Sequence, residues 1–141
     1  VWRGVLEELP PPANCEVQVS RHGDLGGQWD PDRLSQLLSN LLVNAYDHRS
    51  ENSPVEVRLD GSSSDHVVLE VWNNGVITTD VLPIVFEPLQ SGRRDRRAGL
   101  GLGLYIGREV VTGHGGTIRV ESSEAAGTRF VVDLPRESPA G

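Results

Sequence analysis

The sequence contains very little of several residue types, and each scarcity removes a class of protein from consideration. Cys15 is its only cysteine, so no internal disulfide can form, which fits a buried or half-buried thiol in a reducing cytoplasm. None of its thirteen basic residues is lysine, so a Walker A phosphate-binding loop, which requires a lysine, is excluded. No apolar run approaches the ~20 residues of a membrane-spanning helix, and no basic and apolar signal segment begins the chain.

Positive charge is also scarce, because the net charge of the 141 residues is −7. This balance argues against a nucleic acid or a membrane surface as a general partner. One stretch, residues 93–97, is locally basic and holds four arginines. These arginines can contact phosphate or a partner domain, although a solvated loop is the ordinary interpretation of any single one. The length fits one domain over residues 1–141, and a first residue other than Met suggests a fragment of a longer protein.

Apolar periodicity predicts a mixture of helices and strands. The expected elements are a helical tail at Val1–Leu9, a strand at Cys15–Ser20, a helix at Asp30–His48, strands at Val55–Leu59 and His66–Trp72, a short helix at Val81–Phe86, a helix at Leu100–Thr112 and a hairpin of Thr117–Ser122 with Thr128–Leu134. We therefore predict an α+β fold, a two-layer sandwich with one layer of helices on a mixed, mainly antiparallel sheet. Residues 135–141 are expected to form a frayed tail.

The helix expected at Asp30–His48 carries an unusual row of polar residues. Asp30 can cap it, and Pro31 suits its first position. Asn40, Asn44 and His48 are spaced four residues apart, so they share a stripe that is separate from the leucine face. These amides can cap neighbouring loops or face water. Alternatively, one amide oxygen can be the single protein ligand of a Mg²⁺ ion held otherwise by phosphates and water.

Alternating glycines introduce the second long helix. Gly99, Gly101 and Gly103 allow close approach of a ligand and positive φ angles, and the following helix start offers free N–H groups. This combination is typical of a phosphate cradle, but a flexible hinge is an equal alternative from spacing alone. No hydrophobic strand directly precedes the glycines, so they are not a Rossmann turn.

Two shorter segments add to this pattern. Asn73-Asn74-Gly75 follows a strand and is by itself a hairpin signal. Phe86-Glu87-Pro88-Leu89 leads into the arginine-rich loop. In their order and spacing, these segments together resemble the catalytic domain of bacterial sensor histidine kinases, within the superfamily of gyrase, heat-shock chaperone, histidine kinase and mismatch-repair ATPases. The match covers the N-box, the first glycine box, the F-box, the second glycine box, and the closing His114-Gly115-Gly116 and Gly127-Thr128-Arg129-Phe130 segments.

The resemblance implies a role for each matching residue. Asn44 would bind Mg²⁺, Asn40 would lie beside the phosphates of ATP, and the loop 90–98 would cover them as a lid. Asn73 and Thr128 would approach the adenine. The remaining implied nucleotide-binding residues are His48, Arg49, Gly75, Ile77, Phe86, Gly99, Leu100, Gly101, Leu102, Gly103 and Leu104.

The same resemblance implies a reaction and partners. The domain would transfer the γ-phosphoryl group of ATP to a histidine on a separate dimerisation domain of the same kinase, upstream of a response regulator. None of the four histidines stands in the acceptor motif, so the chain is not expected to phosphorylate itself. It is expected to be a monomer, with Val1–Leu9 as the end of a linker helix. Asn40 stands where gyrase-like hydrolases have a glutamate that activates water, and an amide is a poor base, so transfer is favoured over hydrolysis.

Three departures from the family pattern keep alternatives open. Asn73 stands at the position of the usual aspartate, as in some kinases related to bacterial phytochromes. Val76 makes the first glycine box one residue short, and Asp47 stands where many relatives have lysine. One alternative function is a docking module that has lost nucleotide binding. The other is a serine kinase of the anti-sigma-factor type, which shares the fold.

Overall fold

The computed structural model describes Trp2, Leu6 and residues 15–50, 53–88 and 100–137. The elements in chain order are β1 Val17–Gly23, α1 Pro31–His48, β2 Val55–Gly61, β3 His66–Asn73, a 3-10 turn Leu82–Ile84, α2 Leu100–Gly113, β4 Thr117–Ser123 and β5 Gly127–Pro135. Most of the predicted helical tail, the lid at 90–98, Gly99 and residues 138–141 lie outside the described residues.

The five strands form one sheet in the order β1-β2-β3-β5-β4. β1 and β2 are parallel, and the other three neighbouring pairs are antiparallel. This confirms the predicted mixed, mainly antiparallel sheet and the α+β fold class. The return from β1 to β2 runs through α1, which is the connection that a parallel pair requires.

One face of the sheet is covered by helices. β2 and β3 alternate between buried and more exposed residues, so their apolar side chains point to the same side. The leucines of α1, spaced at three and four residues, lie against that side. The largest fully buried side chains are Phe130, Leu34, Leu37, Leu38, Leu41, Leu42, Leu59, Leu69, Leu134, Val55, Val57 and Val67. Burying each contributes about 1.5–3 kcal/mol, so this layer dominates stability.

α1 begins, and α2 ends, within one residue of the predicted position. The Asp30 carboxylate accepts hydrogen bonds from the N–H groups of Asp32 and Arg33, at 3.0 and 3.3 Å, and Pro31 is the first helical residue. α2 is closed by Gly115, whose φ of 78° places it in the left-handed region that glycine adopts without strain. The Gly116 N–H group then donates to the Val111 carbonyl at 2.9 Å, which satisfies a carbonyl at the helix end.

Three local predictions are wrong in part. The short helix expected at Val81–Phe86 is only a 3-10 turn at Leu82–Ile84, because so short a segment gains too few hydrogen bonds to offset the cost of helix nucleation. The Asn73-Asn74-Gly75 segment forms no hairpin, since β3 pairs with β2 and β5. Gly101 and Gly103 are helical residues of α2, and neither has the positive φ expected of them.

The beginning of the tail predicted to be frayed is anchored. Pro135 is the last residue of β5. The Arg136 guanidinium donates to the carbonyls of Gly26, Gly61 and Ser63 at 2.7, 2.9 and 2.8 Å, and therefore ties three separate parts of the chain together. The fraying predicted from composition fails here because these tertiary hydrogen bonds hold the segment.

The described part of the N-terminal segment lies against the same end of the sheet. Trp2 is 5% exposed, contacts the Trp29 ring edge to face and donates from its indole N–H to the Leu25 carbonyl at 3.3 Å. Helical backbone at Trp2 and Leu6 agrees with the predicted helical tail at these two positions. Within the described part of the chain, no helix combines the length and apolarity that spanning a membrane requires.

Candidate nucleotide-binding site

The predicted site residues that the structure describes gather at one end of the sheet. The end of α1, the start of α2, the end of β3 and the start of β5 all meet there. Asn40 joins the two helices, because its amide N–H₂ donates to the Gly103 carbonyl at 2.9 Å. Asn73 and Thr128 are directly opposite partners on β3 and β5. The fold therefore brings together residues that are up to 88 positions apart in the chain.

Asn44 is the most unusual polar residue at this end. Asn44 lies in α1, one turn after Asn40, and is only 4% exposed. Among the residues that the structure describes, none forms a hydrogen bond to its Oδ1 atom. An amide oxygen buried in this way costs about 1–3 kcal/mol, because it loses water and gains nothing in return. Such an oxygen suits a hard cation such as Mg²⁺, which takes one or two protein oxygens and fills its other positions with phosphate and water.

Gly75 is held between β3 and the end of α1. Its N–H group donates to Asn73 Oδ1 at 2.7 Å. A Cβ atom on Gly75 would lie 1.8 Å from the His48 carbonyl oxygen, far inside the closest approach of real atoms. Glycine is thus required here by the close approach of two backbone segments and not by an unusual φ. The N–H group of Ser50 donates to Asn74 Oδ1 at 2.8 Å and fastens the same two segments.

A row of polar side chains crosses three strands beside Gly75. Asn73, Thr128 and Ser122 are successive register partners on β3, β5 and β4. The Thr128 hydroxyl contacts the Gly75 carbonyl at 2.9 Å and the Ser122 hydroxyl at 2.7 Å, and Ser122 Oγ accepts from the Ile77 N–H group at 2.8 Å. Asn73 and Thr128 are each 1% exposed. The row links both predicted adenine-binding residues to the first glycine box.

The other predicted residues have varied environments. Leu104 and Ile77 are 3% and 8% exposed and belong to the hydrophobic core. Phe86 contacts the Phe130 ring edge to face, with 5.9 Å between ring centres. Leu102 is 38% exposed, and His48 is also exposed. Only the backbone of Leu100 and Gly101 is described, in the first turn of α2.

The last turn of α1 is electrostatically mixed. Burial raises the pKa of the Tyr46 hydroxyl, the neighbouring Cys15 raises it further and Arg49 lowers it. Cys15 is half-buried, as expected. Arg49 follows the helix, and its N–H group donates to the Ala45 carbonyl at 3.1 Å. The resemblance assigns the Arg49 side chain, at the end of α1, to the nucleotide.

Sequence reasoning missed Ser122 and Asn74. Ser122 continues the inward-facing series Ile118 and Val120 on β4, so a polar residue stood in a position where the strand pattern calls for an apolar one. That exception was the available signal. Asn74 carried no such signal, because an asparagine before glycine is ordinary in any turn.

The opposite face of the sheet has a different character. Glu56, Arg58, Glu70, Trp72 and Arg129 line a shallow groove there. Arg129 is 3.3 Å from the Glu70 carboxylate in a partly exposed ion pair. Such pairs contribute little to stability, so this groove is a solvated charged surface that is separate from the polar row.

Comparison with known proteins identifies the family of the chain. Residues 29–138 match the family of histidine kinase-, DNA gyrase B-, and HSP90-like ATPases. The chain is 37% identical over 130 residues to the sensor protein VanS of Enterococcus faecium, covering 84% of this chain and 33% of VanS. It covers 23% of the length of two further curated relatives.

Two solved structures share the fold. The catalytic domain of the histidine kinase ThkA, in a nucleotide-free form, has a TM-score of 0.74 at 28% identity, covering 89% of this chain and 81% of that one. Full-length ShkA in complex with AMPPNP has a TM-score of 0.73 at 25% identity, covering 94% of this chain and 28% of ShkA. The chain therefore belongs to the histidine kinase-, DNA gyrase B- and HSP90-like ATPase family, as a catalytic domain of the sensor histidine kinase type.

Proposed function

We propose that this chain binds ATP with Mg²⁺ and donates the γ-phosphoryl group to a histidine on a separate dimerisation domain of the same cytoplasmic sensor kinase. The observation that carries the proposal is the Oδ1 atom of Asn44, which is buried at this end of the sheet and has no partner in the described residues 15–50, 53–88 and 100–137. The family match and the AMPPNP complex of the related ShkA support it.

Each residue of the site would have its own role in binding ATP and Mg²⁺. Asn44 would supply one oxygen to Mg²⁺, which neutralises charge on the phosphates and so favours phosphoryl transfer. The first turn of α2, at Leu100, Gly101, Leu102 and Gly103, would present N–H groups to the phosphates, and Gly99 would extend this cradle. His48 and Arg49 at the end of α1 would add positive or polar contacts. Asn73 and Thr128 would recognise the adenine.

The chemistry at Asn40 favours transfer over hydrolysis. Its amide N–H₂ group is already bonded to the Gly103 carbonyl, and an amide cannot accept a proton from water. The nucleophile would be an imidazole nitrogen of the partner histidine. It forms a bond to the γ-phosphorus while the bond to the bridging oxygen breaks and ADP leaves. A response regulator would then take the phosphoryl group from that histidine. The isolated chain would remain a monomer that does not label itself.

The first test is calorimetric titration of ADP into the purified chain, with and without Mg²⁺. We expect Mg²⁺ to strengthen binding, and Asn44→Ala to remove that gain, a loss of about tenfold in affinity or more. Val43→Ala is the matched control, because Val43 is the neighbouring residue on α1 and is 43% exposed. Its binding should equal that of the wild type.

Each contrary result has a clear meaning. If the wild type binds no nucleotide even at millimolar concentration, the docking module is the better account of this chain. If it binds nucleotide and Asn44→Ala keeps the full Mg²⁺ effect, the assignment of Asn44 is wrong. Transfer itself is tested by adding the dimerisation domain of the same kinase with γ-labelled ATP. Labelling of a serine on a partner protein instead would favour the anti-sigma-factor type of kinase.

A further inference from the structure

We infer that Asn74 is a positioning residue, which holds the end of α1 at a fixed distance from the end of β3 and so places Asn44 for the metal. The inference rests on the proposed function and deepens it. The resemblance to the family assigns no role to Asn74. The support is a hydrogen bond from the Asn74 side chain to the chain that leaves α1, together with the packing of its backbone against β5.

The segment that follows β3, residues 73–75, is fixed to the sheet on one side. The Thr128 hydroxyl donates to the Gly75 carbonyl at 2.9 Å. The backbone of Gly127, at φ 79°, packs so closely against this segment that a Cβ atom on it would lie 3.1 Å from Asn74 Cα. The backbone of Asn74 therefore belongs to the sheet layer.

The side chain of Asn74 reaches from the sheet layer to the helix layer. Its Oδ1 atom accepts from the Ser50 N–H group at 2.8 Å. α1 ends at His48, Arg49 caps it with extended backbone (φ −69°, ψ 155°), and Ser50 is the first residue beyond the cap. The bond therefore fixes the point at which the chain leaves the helix. Among the described residues, it is the one hydrogen bond between that exit and the segment 73–77.

Packing of the two layers defines this position less sharply than the hydrogen bond does. The core between α1 and the sheet consists mainly of leucine and valine side chains, and apolar attraction is non-directional. A hydrogen bond requires a donor–acceptor distance near 2.9 Å and a nearly straight angle. The close contact of Gly75 with the His48 carbonyl limits the approach of the two layers, and the Asn74 bond limits their separation.

The distance between the two layers matters for the metal. In the proposed site the base lies against Asn73 on β3, while Asn44 on α1 supplies an oxygen to Mg²⁺. This ion demands near-octahedral geometry with oxygen ligands at about 2.0–2.1 Å. Because base and phosphates are parts of one molecule, Asn44 Oδ1 meets the metal only when α1 stands at the right distance from β3. Asn74 therefore sets the gain in affinity that Mg²⁺ gives, and not the affinity for metal-free nucleotide.

The test measures ADP affinity with and without Mg²⁺, by calorimetry on the purified chain. Asn74→Leu has a similar size and no acceptor oxygen. We expect it to reduce the Mg²⁺ gain about fivefold, as the loss of one neutral hydrogen bond would do, and to leave Mg²⁺-free binding unchanged. Asn74→Asp keeps the acceptor oxygen and should retain the gain. Ser50→Ala keeps the backbone N–H group and is the matched control.

Hydrogen exchange of the Ser50 amide tests the bond without any nucleotide. This amide should be protected in the wild type and exchange faster in Asn74→Leu. Fast exchange in the wild type would overturn the inference and leave the proposed function untouched. Should Asn74→Leu not fold, Asn74→Ala also removes the acceptor oxygen and carries the same expectations.

A merely structural role for Asn74 would give a different result in calorimetry. In that case Asn74→Leu would keep the full Mg²⁺ gain, or would weaken ADP binding equally with and without Mg²⁺. Either outcome overturns the inference, while a Mg²⁺ gain in the wild type still supports the proposed function. If the wild type binds no nucleotide, or gains nothing from Mg²⁺, the proposed metal site and the inference fail together.

Discussion

The two ends of the sheet both bury polar groups, but these groups differ in how fully they are bonded. At the end where β5 finishes, the Arg136 side chain donates to three carbonyls and the Trp29 indole donates to the Pro135 carbonyl at 2.8 Å. At the end where β5 begins, Asn44 Oδ1 has no hydrogen-bond partner within the described part of the chain. Among the described residues, the first end therefore uses most of these buried polar atoms in internal hydrogen bonds, with Arg136 Nε as an exception, whereas the second leaves an amide oxygen without a partner.

Residues at the first end stabilise the fold, whereas residues at the second end can form further bonds to a ligand. Burying an unpaired amide oxygen costs about 1–3 kcal/mol, so a sequence selected for stability alone would not keep Asn44 in a leucine-lined helix. At the first end each hydrogen bond contributes about 0.5–1.5 kcal/mol in the absence of any ligand. Substitutions at the two ends should therefore have opposite signatures, one in unfolding and the other in binding.

The largest expected effect is at Gly75, where a residue of the predicted nucleotide-binding site also packs against the end of α1. A Cβ atom there would collide with the His48 carbonyl, and that backbone can move only by separating α1 from the end of β3. We expect Gly75→Ala to lower the free energy of unfolding by about 3 kcal/mol, because overpacking against backbone is costly. Denaturant unfolding without nucleotide measures it.

Gly103→Ala is the matched variant in the second glycine segment. Of the described residues, the nearest to a Cβ atom on Gly103 would be Asn40, at 3.7 Å, which is an ordinary contact. Because alanine suits a helix better than glycine by about 1 kcal/mol, the free chain should not be destabilised. Nucleotide affinity should fall all the same, if phosphates lie against the first turn of α2. Equal destabilisation by the two variants would contradict the distinction drawn here.

The second effect tests the end where β5 finishes. Arg136→Ala removes three hydrogen bonds from a side chain that is only 15% exposed. We expect a loss of about 2 kcal/mol in the free energy of unfolding. ADP affinity should be unchanged under conditions in which the variant is folded. Arg119→Ala is the control, because the Arg119 side chain is 64% exposed in an ion pair with Glu121. A large drop in ADP affinity for Arg136→Ala would mean that the ends are not independent.

Much of this contrast follows from patterns that a sequence carries. The leucine spacing of α1, its Asp30 cap and the stripe of Asn40 and Asn44 are local features, so the helix and its two faces were predictable. Alternation of apolar and polar residues predicted the strands. The observed sheet contains one parallel pair and is therefore mixed, as expected. Family resemblance then placed Asn73 and Thr128 at one end.

The remainder depends on contacts that no local pattern contains. Gly75 is explained by the approach of the His48 carbonyl, which is 27 residues away in the chain. The strand pattern of β4 marks Ser122 only as a polar residue at an inward-facing position, and its partner Thr128 follows from strand register alone. Arg136 follows a proline near the end of the chain, where composition indicates fraying, and only its bonds to distant carbonyls reverse that expectation.

The smallest expected effect concerns the exchange of an amide for the aspartate that the family usually has. Asn73→Asp keeps an oxygen to accept from the Gly75 N–H group and replaces the amide N–H₂ with a second, charged oxygen. ADP should bind about fivefold to tenfold more tightly, since charge-assisted hydrogen bonds are roughly twice as strong as neutral ones. The free protein should lose about 1 kcal/mol of stability, because the carboxylate is buried at a position that is 1% exposed.

Asn74→Asp provides the matched control for that exchange. Asn74 is the next residue, is exposed and accepts from the Ser50 N–H group, so its carboxylate would face water and leave both quantities near their wild-type values. Opposite shifts in affinity and stability for Asn73→Asp alone would show that position 73 belongs to the end with open bonding capacity. If affinity and stability change in the same direction in Asn73→Asp, or if Asn74→Asp also binds ADP more tightly, the added negative charge acts on the nucleotide through the whole loop. The contrast between the two ends would then not extend to single side chains.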